Sequence, residues 1–218
     1  MFSKVGREFF APAVAFVVRW LQSAGISPNT LTYTGFLLTA ISALVLAGGN
    51  FRIGAIVLLF ASIFDMLDGA LARATAQSSA FGAFLDSTLD RYSESVTFLA
   101  LAYYYSSVPG SRTEIMLIFV IIIGSLMVSY TRARAEALQV ECKAGMLQRP
   151  ERVVLLIAGL LIGWLQPVLW LMAILTNISA VQRIYEVYTN TRKASTANDG
   201  TQGPQPGQPS SKVVQPGP

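Results

Sequence analysis

Between Arg19 and Arg52, and again between Glu114 and Arg132, the chain carries no charged residue. A run of about 20 apolar residues matches a helix crossing the hydrocarbon core of a bilayer. Lipid offers no hydrogen-bond partner to the backbone, so such runs must close their own bonds as helices. Charged residues make up 13% of the 218, against about 25% in globular proteins, and the mean hydropathy is +0.51. These features predict an all-α integral membrane protein rather than a soluble domain. No small-residue cleavage pattern follows the first apolar run, so it is not read as a cleavable signal peptide.

Residues 3–22, SKVGREFFAPAVAFVVRWLQ, place Val5, Phe9, Ala13, Phe16, Val17 and Trp20 at helical spacing, with Lys4, Arg7, Glu8, Arg19 and Gln22 elsewhere on the wheel. Crossing the bilayer would bury some of these charges. The pattern predicts an amphipathic helix lying in the interface with Trp20 at headgroup depth. Gly25–Asn29 forms a turn in which Ser27 or Asn29 can cap the next helix. Spans are then expected over 30–48, from after Arg52 to the aspartates described below, and over 81–105, with 75–80 as a polar connector. A fourth covers 113–131 and continues as helix through Arg132, Arg134 and Glu136. Residues 139–152 read as a polar loop. The last two spans, 153–165 and 168–184, are split at Gln166-Pro167. The domain plan is an interfacial helix (1–24), a six-helix transmembrane catalytic domain (25–193) and a disordered tail (194–218), whose lack of aromatic residues leaves too little apolar area to order it.

Six spans return both termini to one side. Only Arg52 and Arg112 then fall on the opposite face, and the other Lys and Arg residues mark the side of the termini as cytoplasmic. The single cysteine, Cys142, excludes an internal disulfide, and the absence of histidine argues against zinc or haem. A bound metal would need oxygen ligands, which suits magnesium, manganese or calcium.

The chemistry concentrates in FDMLDGALARATAQSSAFGAFLDSTLDR, residues 64–91. Asp65, Asp68, Gly69, Ala72 and Arg73 recur at three- and four-residue spacing and share one helix face. Gly82, Asp86, Asp90 and Glu94 repeat every fourth residue on the next helix. Antiparallel packing brings the two stripes together, and four facing carboxylates must either take up protons or hold cations. Short oxygen-only side chains favour divalent ions, and four carboxylates can hold two of them around a phosphoryl group. Arg73 is placed for the remaining phosphate charge, while the small residues open the walls to a ligand. Carboxylates in membrane helices also mark transporters; here, however, they sit at two helix ends beside Arg73 rather than along several spans.

The pattern Asp-x-x-Asp-Gly-x-x-Ala-Arg, eight residues, Gly-x-x-x-Asp-x-x-x-Asp resembles the signature of the CDP-alcohol phosphotransferase family at every position. The resemblance implies a six-span membrane enzyme with a juxtamembrane helix, a homodimer, in which an alcohol replaces CMP on a CDP-linked donor, usually CDP-diacylglycerol. By that resemblance Asp65, Asp68, Asp86 and Asp90 would bind Mg2+ or Mn2+ as a pair of ions. Asp90 would also be the general base on the acceptor hydroxyl. Gly69, Ala72, Arg73 and Gly82 would line the CDP pocket. Asn29 and Thr32, at the cytoplasmic start of the first span, either join that pocket or cap their helix.

Basic residues outside the signature speak to the alcohol. Tyr130-Thr-Arg-Ala-Arg-Ala-Glu136 followed by Gln148-Arg-Pro-Glu-Arg152 looks like the phosphatidylinositol phosphate synthase subgroup, with Arg132 where that subgroup more often has Lys. It implies inositol 1-phosphate as acceptor, its phosphate held by Arg132, Arg152 and Arg183, with Ser129 and Arg149 in support. Glycerol 3-phosphate, as in a phosphatidylglycerophosphate synthase, is the alternative acceptor, and a carboxylate-site cation transporter the alternative of a different class. No nucleic acid is expected as partner.

Overall fold

The computed structural model describes residues 2–75 and 79–201, with the side chains of 12, 14–75 and 79–192. Among these residues seven helices follow one another: α1 (Phe2–Ser23), α2 (Pro28–Ala47), α3 (Phe51–Ala74), α4 (Ala80–Ser106), α5 (Arg112–Ala137), α6 (Arg149–Ile162) and α7 (Leu165–Thr201). No strand occurs among the described residues. Among the described residues four helices are long and apolar enough to cross a membrane: α2, α3, α5 and the Leu165–Arg192 part of α7. The long helix α4 carries Asp86, Asp90 and Arg91 in its first half and Glu94 just past its middle. With 14 residues, α6 is about 21 Å long, short of a hydrocarbon core of about 30 Å.

Small residues set the packing. Against α3, α2 packs with Gly54 under the Leu46 side chain, where a Cβ would collide, and Ser42 donates to the Gly54 carbonyl at 2.7 Å. Likewise α5 meets α7 where Gly124 faces Thr176 and Asn177, with Asn177 reaching the Val120 carbonyl at 3.3 Å. Further packing joins α2 to α4, α4 to α5, α3 to α6 and α6 to α7. The main core, including Leu46, Leu58, Phe98, Leu101, Ile118, Leu160 and Met172, lies among α2–α7. Outward-facing Leu44, Phe60, Ile123 and Trp164 are exposed, as lipid-facing positions of an apolar bundle should be.

Three boundaries differ from the sequence reading. The turn between α6 and α7 falls at Gly163, whose φ of 85° is a left-handed helix stop that glycine adopts without Cβ strain. Pro167 lies inside the first turn of α7, where its missing N–H has no helical partner to lose. Residues 149–152 are not loop but the first turn of α6, with Pro150 in its opening positions. And α7 runs as helix past Ala194 to Thr201; residues 202–218 of the expected tail lie outside the described residues, as do 76–78 of the connector.

Helix α1 packs on α3. Val18 and Leu21 are buried with Leu31, Leu67 and Leu71, while Val14, Val17 and Phe64 pack at the edge. Phe16 and Trp20 point away and are exposed, so the expected apolar stripe is split between a protein-facing and an outward side. The side chains of Val5, Phe9 and Ala13 lie outside the described residues.

The segment between α5 and α6 is strapped to α7 by side chains. Ser179 accepts the Leu147 N–H at 3.1 Å, Glu186 accepts that of Ala144 at 2.7 Å, and Asn190 donates to the Glu141 carbonyl at 2.9 Å. Within it Cys142 is buried, and burial together with a hydrogen bond to Glu186 pushes its thiol up.

Candidate active site

The C-terminal end of α3 faces the N-terminal end of α4, and the start of α2 closes the third side. Ser27 caps α2, its hydroxyl accepting the Thr30 N–H at 3.2 Å. That frees Asn29 and Thr32 to face inward. Thr32 Oγ1 donates to Asp68 Oδ2 at 2.7 Å, and Asp68 is buried. A cleft of about 190 Å³ is lined by Asn29, Thr32, Asp68, Gly69, Ala72, Arg73, Gly82 and Asp86. Every residue expected at a CDP pocket therefore borders one space, with two of the aspartates at its floor.

The small residues there have specific tasks. A Cβ on Gly82 would stand 3.1 Å from Asn29 Oδ1 across the cleft, and one on Gly69 would stand 3.2 Å from an Arg73 guanidinium nitrogen. Arg73 folds back over Gly69 because no side chain occupies that wall. Gly35 of α2 makes room in the same way for the first aspartate, since a Cβ there would collide with Asp65 Oδ1.

A second cleft, also about 190 Å³, opens on the other side of Asp90. Ser129, Arg132, Arg149, Arg152 and Arg183 all line it, together with Asp90, Arg91 and Glu94. The five residues expected to hold an acceptor's phosphate come from α5, α6 and α7 and meet only through the fold. They are not equally available. Arg132 is exposed and pairs with Glu136 one turn on, at 2.8 Å. Arg152 is committed: Nε and Nη2 lie 2.6 and 2.7 Å from the two oxygens of Glu94, and Nη1 donates to the Leu147 carbonyl at 3.1 Å. Arg183 is buried and bonds only backbone carbonyls, those of Ala144 at 2.8 Å and of Val128. No carboxylate is in ion-pair contact with it among the described residues. A buried cation hydrogen-bonded to carbonyls, with no ion pair among the described residues, favours an anion nearby.

Glu94 belongs to the site as well. It continues the every-fourth-residue stripe of Asp86 and Asp90, but nothing local reveals that Arg152 and Ser125, the latter at 3.0 Å, converge on it from two other helices.

Arg149 is placed differently from the expectation of a phosphate ligand alone. Its Nη2 lies 2.8 Å from Asp65 Oδ2 and its Nη1 2.7 Å from Asp90 Oδ1. Among the described residues no three carboxylates converge as a ready-made ligand set; a guanidinium stands between two of them instead. It answers the question posed by facing carboxylates with a cation. Asp65 and Asp90 accept a positive charge between them, and Asp68 and Asp86 add oxygens on the nucleotide side. Oxygen-only donors, two of which already share a cation, suit a divalent ion with oxygen ligands.

Known proteins bear on this geometry. A family model for CDP-alcohol phosphatidyltransferase matches residues 25–182. The phosphatidylinositol phosphate synthase of Mycobacterium tuberculosis (strain H37Rv) is 32% identical over 196 residues, covering 85% of this chain and 90% of that one. The archaetidylinositol phosphate synthase of Pyrococcus horikoshii is 37% identical over 187 residues, covering 85% and 96%. Among solved structures, that of M. tuberculosis phosphatidylinositol phosphate synthase with CDP-DAG bound matches with a TM-score of 0.75 at 31% identity, over 81% of this chain and 94% of that one. The same enzyme in complex with manganese and citrate matches with a TM-score of 0.76. With its several apolar helices, Asp68 and Asp86 on one cleft and Asp90 on the other, and this similarity over most of its length, the chain is a membrane enzyme and belongs to the CDP-alcohol phosphatidyltransferase family.

Proposed function

We propose that this enzyme transfers the phosphatidyl group of CDP-diacylglycerol to inositol 1-phosphate, releasing CMP. The observation that carries the acceptor is the second cleft: Arg132, Arg149, Arg152 and Arg183 converge beside Asp90, more positive charge than an uncharged alcohol needs. The relatives named for phosphatidylinositol phosphate and archaetidylinositol phosphate synthesis support the same substrate class, and the relative with CDP-DAG bound supports the donor.

Asp65, Asp68, Asp86 and Asp90 would hold two Mg2+ or Mn2+ ions, a reading supported by the manganese complex of the relative; when bound, such ions would offset the charge developing on the phosphate of the CMP leaving group. The chain's own residues divide the remaining work. Asn29, Thr32, Gly69, Ala72 and Gly82 shape the nucleotide cleft, and Arg73 offsets phosphate charge there. Arg132, Arg152 and Arg183, with Ser129 and Arg149, orient the acceptor by its phosphate. Asp90 borders the acceptor cleft and takes the proton as the acceptor hydroxyl forms its bond to the β-phosphorus. The bond from that phosphorus to the bridging oxygen breaks, and CMP leaves with the electron pair.

The enclosing architecture follows the family plan: six spans including α4 and a shortened α6, α1 in the interface, a homodimer, and both termini, the active site and the 202–218 tail at the cytoplasmic face. The division of labour is tested with Asp90→Asn, which should abolish CMP release while leaving CDP-lipid binding within about threefold. Near-native turnover by that variant removes Asp90 as the base.

A further inference from the structure

Arg149 touches both halves of the site. It is the first residue of α6 and borders the acceptor cleft with Asp90, Arg132 and Arg183. It also borders a small inner cavity of about 20 Å³ with Asp65 and Glu94. Its guanidinium is not a bidentate clamp on one carboxylate. It gives one nitrogen to Asp65 of α3 and the other to Asp90 of α4, while Nε is buried without a partner. Arg152, three residues on, is the contrast, with Nε and Nη2 both locked on Glu94 and Nη1 on a carbonyl. Of the two, Arg149 is held by bonds that another cation can contest. Its side chain keeps 27% exposure, against 2% for Arg152.

We propose that Arg149 is a positioning residue that couples the metal centre to the acceptor cleft: it is the internal counter-cation of Asp65 and Asp90 in the metal-free enzyme, and becomes an acceptor-phosphate donor once divalent ions claim those carboxylates. This rests on the functional reading above. One guanidinium leaves two carboxylates short by one charge, whereas divalent ions compete for the same oxygens with higher charge density. As Asp65 and Asp90 turn to the ions, the like charges repel Arg149. The nearest space it already lines is the acceptor cleft, where a phosphate offers new oxygens. The exchange runs both ways, because whatever draws Arg149 toward the cleft also frees the aspartates for metal. Coupling of this kind is reciprocal by linkage.

The test uses the full chain in lipid nanodiscs, stripped of metal and without CDP-lipid. Mn2+ affinity is read by electron paramagnetic resonance, with and without inositol 1-phosphate. In the native chain the acceptor should tighten Mn2+ binding by about 5–150-fold, the usual span of coupling. Arg149→Gln should bind Mn2+ alone at least about fivefold more tightly and lose most of that coupling. Arg149→Lys, whose single ammonium cannot span two carboxylates in the same way, should move in the same direction and carries the test if the Gln variant does not fold. In the variant that folds, an unchanged Mn2+ affinity or a retained coupling overturns the inference while the functional reading stands. A native chain that binds neither Mn2+ nor inositol 1-phosphate overturns both.

Discussion

Replacing Arg152 by Met removes one partner of a buried ion pair while keeping most of the side-chain volume. Arg152 is 2% exposed and Glu94 10%, with contacts of 2.6 and 2.7 Å between them. In Arg152→Met the carboxylate keeps only Ser125 at 3.0 Å, and the Leu147 carbonyl loses its donor. An uncompensated buried charge of this kind destabilises by about 3–5 kcal/mol. Replacing both partners, as Glu94→Gln with Arg152→Met, removes the charges together and should bring stability back to within about 1 kcal/mol of the native chain. The unfolding free energies of the four proteins in the cycle, measured in one detergent, give the coupling directly. Acceptor turnover should stay low in the double variant, because the cleft beside Asp90 still lacks Arg152 in its wall. A single variant losing less than about 1 kcal/mol, or a double variant as unstable as the single, would refute the reasoning that the pair is buried and mutually compensating.

Three further outcomes are expected. Thr32→Val removes the hydroxyl that donates to buried Asp68 and should destabilise the metal-free protein by about 1.5–3 kcal/mol, the range for hydrogen bonds to charged groups; thermal unfolding with and without Mn2+ checks it, with a smaller deficit when metal is bound. Gly82→Leu puts a side chain into the cleft opposite Asn29 and should raise KM for the CDP-lipid at least about tenfold while sparing that for the acceptor, as expected when only ground-state lipid binding is lost. Arg183→Ala removes the cation that bonds only carbonyls and should raise KM for inositol 1-phosphate by about 10–100-fold, from the loss of about 1.5–3 kcal/mol of charged hydrogen bonding, with equal effects on both substrates counting against its acceptor role.

Much of the nucleotide side is legible in sequence because its residues lie close together. Asp65 to Asp90 occupy two consecutive helices, so helical spacing fixes their shared faces and a short connector fixes their meeting. Asn29 and Thr32 are harder. Their inward turn depends on Ser27 taking the cap, which spacing alone leaves open between Ser27 and Asn29. The acceptor side is legible only as a set of residue types. Arg132, Arg149, Arg152 and Arg183 belong to three helices, and which cation is locked and which is exchangeable depends on partners far along the chain: Glu94 for Arg152, Asp65 and Asp90 for Arg149, and the strapped 139–148 segment for Arg183. The polar run QVECKAGMLQRPER reads as loop throughout, yet its last residues open α6, because proline suits a first turn as readily as a turn between helices.

Selection of a phosphorylated inositol is the task proposed for the arginine cleft beside Asp90. It is tested by supplying the purified enzyme with CDP-diacylglycerol, Mg2+ and, separately, inositol 1-phosphate, inositol or glycerol 3-phosphate, and measuring CMP. CMP release should depend on inositol 1-phosphate, with inositol and glycerol 3-phosphate near background. Equal release with inositol, or a preference for glycerol 3-phosphate, would contradict the account.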